Sequence, residues 1–321
     1  MTGRPPVLVV TRTDDATADV VTTELHRRAV PVVRLDPDDF PAEVVLNARL
    51  DGAGLAGAIR TTTRELSLSQ VRAVYWRRPT PYSAPAPLPE QDARWCIEQT
   101  RYGLGGVLAS LPGAHYVNHP WRNRDAEYKP AQLATAVRCG LRVPPTLISN
   151  DPAEAHRFAQ EQGPVIYKPL RNTDHLDANG RALTVWVDVV APADLDAGVR
   201  KSAHLFQRRV VSVADLRLTA VGEHLFTVRI EGAPGMDWRR HYGSLRYTLI
   251  ETPPELTGGV RAYLEAFGLA FGAFDFGLDA DGRAWLYECN PNGQWAWFPD
   301  PITRRIASAL ADRLQYAGDP P

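Results

Sequence analysis

Three cysteines, Cys96, Cys139 and Cys289, are too few and too scattered to build with. They have neither metal-ligand nor Cys-x-x-Cys spacing, so a disulfide framework, a zinc site and thiol redox chemistry are excluded. They read as reduced core residues of a cytoplasmic protein. Charge of one sign is also missing: 36 Lys and Arg stand against 37 Asp and Glu. That balance removes the electrostatic case for a nucleic-acid or membrane-surface partner. No apolar run approaches a membrane span, and the N-terminal MTGRPPVLVVT has too short an apolar stretch for a signal peptide. There is no internal repeat and no low-complexity tract; the nearest is the proline-rich stretch from Pro79 to Pro89. What remains is a chain of 321 residues with ordinary apolar and charged content, long enough for two or three packed units.

The chain opens with a buried strand, Val7 to Val10. A helical pattern follows from Thr13 to Ala29, with Thr13 or Asp14 as its cap, and then a second strand from Val30 to Leu35. Strand-helix-strand is the start of an open α/β unit, but the Gly-x-Gly-x-x-Gly turn of a dinucleotide site is absent. Val44 to Leu50, Gly57 to Thr62 and Val71 to Trp76 read as further strands, and Glu90 to Leu108 as a helix. Arg77 and Arg78 follow the strand ending at Trp76. Ligands bind at such strand ends in open sheets, and Arg pairs well with carboxylates; a solvated loop end explains the two arginines equally well. Asn118 begins a linker, and Ala126 to Gly140 is a helix. Pro130 fits only the start of a helix, so Lys129 sits at its N-terminal edge. Lys168 ends the apolar strand from Val165. An ammonium there needs an anion beside it, and phosphate is the obvious one.

The stretch from Phe274 to Asn290 reads as two strands around Asp281-Gly282, a dipeptide suited to the positive φ of a tight turn. With a two-residue loop, Asp275 faces Glu288 and Asn290 lies two residues along on the same face. A four-residue loop keeps the acids on one face; an odd loop separates them. Two facing carboxylates repel, and a hard divalent cation such as Mg²⁺, with the Asn290 amide oxygen as a third donor, supplies the compensation. A second hairpin runs from Asp215 to Ile230 and turns at Gly222-Glu223. Pairing centred on Glu223 sets Arg217 opposite Arg229, a cationic pair beside the anionic one, as a site for Mg-ATP requires. Arg239 and Arg240, in a polar loop, hold an acyl phosphate or a substrate carboxylate, or else face solvent. Leu256 to Phe267 and Ile302 to Tyr316 are the last helices.

A late Asp followed by a strand ending Glu-x-Asn-Pro resembles the metal-binding end of ATP-grasp ligases. The extension Glu288-Cys-Asn-Pro-Asn-Gly-Gln-Trp295 resembles the graspetide (ω-ester peptide) synthetase branch. Tyr75-x-Arg77-Arg78-Pro79, Arg34 to Pro41 and Val117 to Pro120 resemble the N-terminal domain of its actinobacterial members, which carries the likeness across nearly the whole chain. The resemblance implies an α/β fold in three parts: an open-sheet pre-ATP-grasp domain (1–120), a central ATP-grasp domain (121–205) and a C-terminal ATP-grasp domain with the metal site (206–321). ATP would lie between the last two. It further implies that Lys129 and Lys168 bind the nucleotide, that Gln207, Arg208 and Val210 flank adenine at the hinge, and that Asp215 meets the ribose. The segment Leu170 to Leu183 departs from the family, with one glycine where many members carry a glycine-rich flap.

On this likeness the chain is an ATP-dependent, ADP-forming macrocyclase. It activates Asp or Glu side chains of a ribosomally made precursor peptide, with leader and core, and joins them to Thr or Ser hydroxyls or Lys amines. Its expected cofactors are ATP and Mg²⁺, and its expected assembly is a homodimer. Two other readings stand beside it: a ligase of the same fold adding a free amino acid or amine, as glutathione-synthetase-like or ribosomal-protein glutamate ligases do, and a non-catalytic nucleotide-dependent peptide-binding module.

Overall fold

The structure, a computed structural model, describes residues 4–171, 175–183, 185–233, 235–236, 238 and 242–316. In the first unit β1 (Val7–Val10) leads through α1 (Ala16–Arg27) to β2 (Val32–Leu35). The cap of α1 is Asp15, one residue beyond the expected pair: its carboxylate accepts from the Thr17 and Ala18 amides, a contribution of about 1 kcal/mol. A separate antiparallel meander of β3 (Val45–Asp51), β4 (Gly54–Arg60) and β5 (Glu65–Ser67) follows. The chain then returns through β6 (Ala73–Trp76), α2 (Glu90–Leu108) and β7 (His115–Val117). The parallel sheet has the order β2-β1-β6-β7, so successive connections diverge on either side of the β1/β6 gap.

The expected linker after Asn118 is helical. Pro120 opens α3 (Pro120–Ala126), where its fixed φ suits a first turn, and the His119 ring accepts from the Trp121 amide. Then α4 (Lys129–Arg138) starts at Lys129, at the edge where Pro130 requires it. The central sheet holds β8 (Thr146–Ser149), β9 (Val165–Lys168), β12 (Asp188–Val190) and β13 (His204–Arg208) in the order β12-β9-β13-β8. Helix α5 (Pro152–Gln162) packs on it, and a small hairpin, β10 (His175–Leu176) with β11 (Ala182–Leu183), stands off from it. The last sheet runs β16-β15-β14-β17-β18, from β14 (Ala214–Val221), β15 (His224–Glu231), β16 (Arg246–Ile250), β17 (Phe271–Leu278) and β18 (Ala284–Asn290). Its helices are α6 (Pro254–Phe267) and α7 (Asp300–Gln315).

The cores cut across the expected boundaries. Ala126, Ala136 and Leu141 share a core with Leu216, Leu218, Phe274 and Leu286, so the segment around α3 and α4 packs with the last sheet rather than the central one. Ile306, Leu310 and Leu314 of α7 share another core with Val7, Val9 and Leu25 and with Val221 and Val228. The closing helix therefore binds the first unit to the last. Strand β13 runs through the expected division at residue 205 and carries the central sheet to Arg208. Its own small core is Ala155, Leu195, Val199 and Phe206.

Candidate active site

Strands β17 and β18 form the expected hairpin, and Asp275 faces Glu288 as expected. The route to that pairing differs. Leu278 faces Ala284, so the loop is Asp279 to Arg283, an odd length. The Gly282 amide donates to the Asp279 carbonyl, the Asp279 amide to the Arg283 carbonyl, and Gly282 takes φ of +78°. The Asp279 carboxylate accepts from the Asp281 and Arg283 amides and from the Trp285 indole, which rules out the two-residue turn. An odd loop alone would place the acids on opposite faces. A β-bulge at Tyr287 adds one residue to β18 and restores the register.

The three expected metal ligands converge. The Asn290 amide nitrogen lies 3.4 Å from Asp275 Oδ2 and 3.3 Å from Glu288 Oε1. Each acid also has a cation. Both Arg217 contacts to Asp275, from Nη1 to Oδ1 and Oδ2, are 2.7 Å, and Lys129 Nζ sits 2.9 Å from Glu288 Oε2. Side chains of the protein thus supply part of the compensation that repulsion between the acids demands. Among the described residues no cluster of three His, Cys, Asp or Glu side chains offers another metal site. Cys289, between Glu288 and Asn290 in sequence, faces the core, and burial pushes its thiol up, so it packs as a neutral side chain.

A cleft of about 660 Å³ lies against this cluster, between the central and last sheets. Lys129, Lys168, Asp215, Asp275 and Glu288 line it, with Val185, Trp186 and Met236 among its apolar walls. Lys168 is 7% exposed. Its ammonium meets the Tyr287 carbonyl at 3.1 Å and stands 5.3 Å from the Tyr287 ring centroid. Of the expected hinge residues, Val210 lines the cleft. Gln207 pairs with the cleft residue Ile166 and shares its face, but it is buried there and donates to the Thr146 hydroxyl, while Arg208 stacks on Trp285.

Arg217 and Arg229 do not share a face. A tight turn needs two residues, and Gly222-Glu223 sets Val221 against His224. Arg217 therefore faces Val228 in β15 and Asp275 in β17, while Arg229 faces Leu216 and pairs with Glu231 at 3.1 Å. The expected cationic pair is therefore not formed, and Arg229 lies on the opposite face of the sheet from Asp275. Arg77 is corrected too: at 1% exposure it cannot meet a peptide from solvent. Its Nε reaches Asp15 Oδ2 and its Nη1 reaches the carbonyls of Asn292 and Gly293. Arg78 is exposed, and burial of its stem with Arg77 and Arg12 nearby lowers its guanidinium pKa. Arg239 and Arg240 lie outside the described residues.

Two groups at the site escaped the sequence reading. Strand β18 is the edge of its sheet, and its outward amides need acceptors. Gln132 of α4 accepts from the Cys289 amide, and the Arg142 carbonyl from that of Leu286. Trp186 is the second; its only sequence signal is an aromatic residue three positions beyond the segment, Leu170 to Leu183, that stands in place of a glycine-rich flap.

A family model described as the MvdD pre-ATP grasp domain matches residues 6–124. No curated protein matches the chain. Among solved structures, a RiPP-associated ATP-grasp ligase from Chryseobacterium gregarium, in complex with ADP and a leader and core peptide, superposes with a TM-score of 0.88 at 23% identity, covering 96% of each chain. The macrocyclase MdnC of Microcystis aeruginosa, bound with precursor peptide MdnA, gives 0.85 at 27% identity, covering 96% of this chain and 99% of that one. The ATP-grasp ligase PsnB, complexed with a minimal precursor, Mg and ADP, gives 0.76 at 22%, covering 96% and 98%. With the pre-ATP-grasp match over residues 6–124, this fold along its length and the paired acids in its last sheet, the chain is similar from end to end to ATP-grasp ligases of the graspetide-synthetase kind.

Proposed function

We propose that this chain closes rings in a ribosomally made precursor peptide, joining Asp or Glu side-chain carboxylates to hydroxyl or amine side chains at the expense of ATP. The observation that carries the reading is the convergence of Asp275, Glu288 and Asn290 at one end of a cleft that Lys129 and Lys168 also line.

The donor set suits Mg²⁺: two carboxylates and one amide, all hard oxygen ligands. Asn290 turns its amide nitrogen toward the acids, so ligation through its oxygen requires the amide to turn over. When bound, Mg²⁺ neutralises charge on the phosphates. Arg217 orients Asp275 by donating to both of its carboxylate oxygens. Lys129 and Lys168 place two ammonium groups along the cleft for phosphate oxygens. Val185 and Trp186 cover the cleft with apolar surface and keep water from an acyl phosphate.

The peptide carboxylate oxygen attacks the γ-phosphorus and ADP leaves. The hydroxyl or amine of the same peptide then attacks the acyl carbon, its proton is lost, and phosphate departs. The enzyme supplies no nucleophile; positioning of tethered reactants and charge neutralisation suffice. Lys129, Lys168, Val210 and Asp215 hold the nucleotide in this reading. A homodimer, checked by light scattering, and a cytoplasmic location belong to it as well. No helix among the described residues is long and apolar enough to cross a membrane.

The test is mass spectrometry of a precursor peptide after incubation with the purified protein and Mg-ATP. Loss of one water mass per ring, with equal ADP, is the expected result. Gain of a residue mass identifies the amino-acid-adding ligase instead. No ADP with any acidic Thr- or Lys-bearing peptide defeats the enzymatic reading.

A further inference from the structure

In the first sheet the gap between β1 and β6 is where successive connections diverge, and open α/β sheets bind ligands outside the strand ends at that point. Here the place is taken by the chain itself. Residues 291–295, which follow the ligand Asn290, press against the ends of β1 and β6, and Trp295 is 0% exposed in the core that also holds Val9 and Tyr75.

This loop has no regular structure, and its carbonyls are held one after another by side chains from elsewhere. Asn118 donates to Pro291 O at 2.9 Å. Arg77 Nη1 donates to Asn292 O at 3.0 Å and to Gly293 O at 2.9 Å. Arg217 Nη2 donates to Gln294 O at 3.0 Å, and Asn123 reaches the Asn292 side chain at 3.0 Å. Arg77 is itself fixed by Asp15, the cap of α1. A continuous line of contacts therefore runs from the first helix of the pre-ATP-grasp unit through Asp15 and Arg77 to Asn292, two residues after Asn290.

We propose that Arg77 is a positioning residue for the metal site: the pre-ATP-grasp unit fixes Asn290 and Glu288 by gripping the loop that follows them. This rests on the reading of Asp275, Glu288 and Asn290 as Mg²⁺ ligands. Groups that hydrogen-bond a metal's ligands directly are worth about ten- to a hundredfold in its affinity, and Arg77, acting through the backbone of Asn292 and Gly293, belongs at the lower end of that range. A lysine keeps a positive charge beside Asp15 but lacks the planar fork that holds two carbonyls and a carboxylate together.

The experiment measures binding of a non-hydrolysable ATP analogue by calorimetry, with Mg²⁺ titrated, and steady-state kinetics with peptide. For Arg77→Lys the Mg²⁺ concentration giving half-maximal binding rises about tenfold or more. Metal-free nucleotide affinity stays at the wild-type value, kcat falls, and the peptide KM stays within about twofold. Asn123→Ala, which loosens the same residue without touching Asp15, shifts the Mg²⁺ dependence in the same direction and decides the matter should Arg77→Lys not fold. Unchanged Mg²⁺ dependence in the folded variants overturns the inference, as does a raised peptide KM with kcat and Mg²⁺ dependence intact. Should the wild-type protein show no Mg²⁺-dependent nucleotide binding, the metal-site reading falls and takes this one with it. Wild-type binding with matching variants sinks the positioning role alone.

Discussion

Replacing Arg217 by Met isolates the charge balance of the site. Arg217 is 5% exposed and its two short contacts hold both oxygens of Asp275. Without it Asp275, whose side chain is 13% exposed, loses the guanidinium that compensates it. Removing one partner of a buried pair costs roughly 3–5 kcal/mol. Asp275 borders an open cleft, which lowers that figure, and the lost bond to Gln294 O returns about 1 kcal/mol to it. We predict a loss of about 3 kcal/mol in urea denaturation followed by tryptophan fluorescence in EDTA. The double variant Arg217→Met with Asp275→Asn removes the stranded charge, so it recovers about 2 kcal/mol of that loss. Added Mg²⁺ stabilises the single variant more than the wild type, because the metal then takes the place of the guanidinium. A single-variant cost below about 1 kcal/mol, or strictly additive single changes, refutes the claim that this pair is desolvated and coupled.

Glu288→Gln keeps the shape of the ligand and removes its charge; ADP formation is expected to fall by about a hundredfold or more, read in a coupled assay. Gly293→Ala puts a methyl group 2.4 Å from the Ala273 Cβ and 2.8 Å from Arg217 Nη2, so a loss of about 1–3 kcal/mol is expected in the same urea titration. Glu24 is held down to about 2, first by its hydrogen bond to Arg27; burial pushes it up less strongly, and the hydrogen bond to Arg28 adds a further lowering. A depressed carboxylate stabilises the fold above its unfolded pKa. Its contribution is therefore complete above about pH 4.5 and is lost as pH falls toward 2. Arg28 also bonds Asp312 and Ser308 of α7, so Glu24→Gln is expected to flatten the acid limb of a pH–stability profile; an unchanged limb counts against it.

The short-range grammar of the chain was legible. Pro130 fixed the start of α4, Gly222-Glu223 marked its hairpin, and Asp275, Glu288 and Asn290 met where alternation placed them. What failed depended on partners distant in sequence. Arg77 carried the same signal whether it served a ligand or the carbonyl of a residue more than two hundred positions away. Gln132 looked like a polar helix position until the edge of β18 needed an acceptor. The misplacement of Arg229 had a local cause: a turn of one residue cannot close, and shifting a pairing by one residue moves a side chain to the other face. The packing across the expected boundaries was hidden because α4 and α7 each bury their apolar faces against sheets far along the chain, which helical periodicity does not reveal.

The bulge at Tyr287 shows why the acid pairing survived a wrong loop length. An odd loop, chosen because the Asp279 carboxylate satisfies the turn's amides, puts β18 one residue out of phase at its start. If the strand stayed regular, Glu288 would point into the core beside Phe274, at the cost of a buried charge. The extra residue corrects the phase where the acids begin. It also leaves the Tyr287 carbonyl outside the ladder, and that carbonyl receives Lys168 Nζ. The Tyr287 ring turns across Gly277, where a Cβ would lie 2.0 Å from the phenol oxygen, so a side chain at 277 would displace the ring from the ammonium. One inserted residue thus sets two things together: the face on which the carboxylates meet, and the seat of the central sheet's lysine against the same strand. Regular pairing between β17 and β18 could provide the first only with a different turn, and the second not at all.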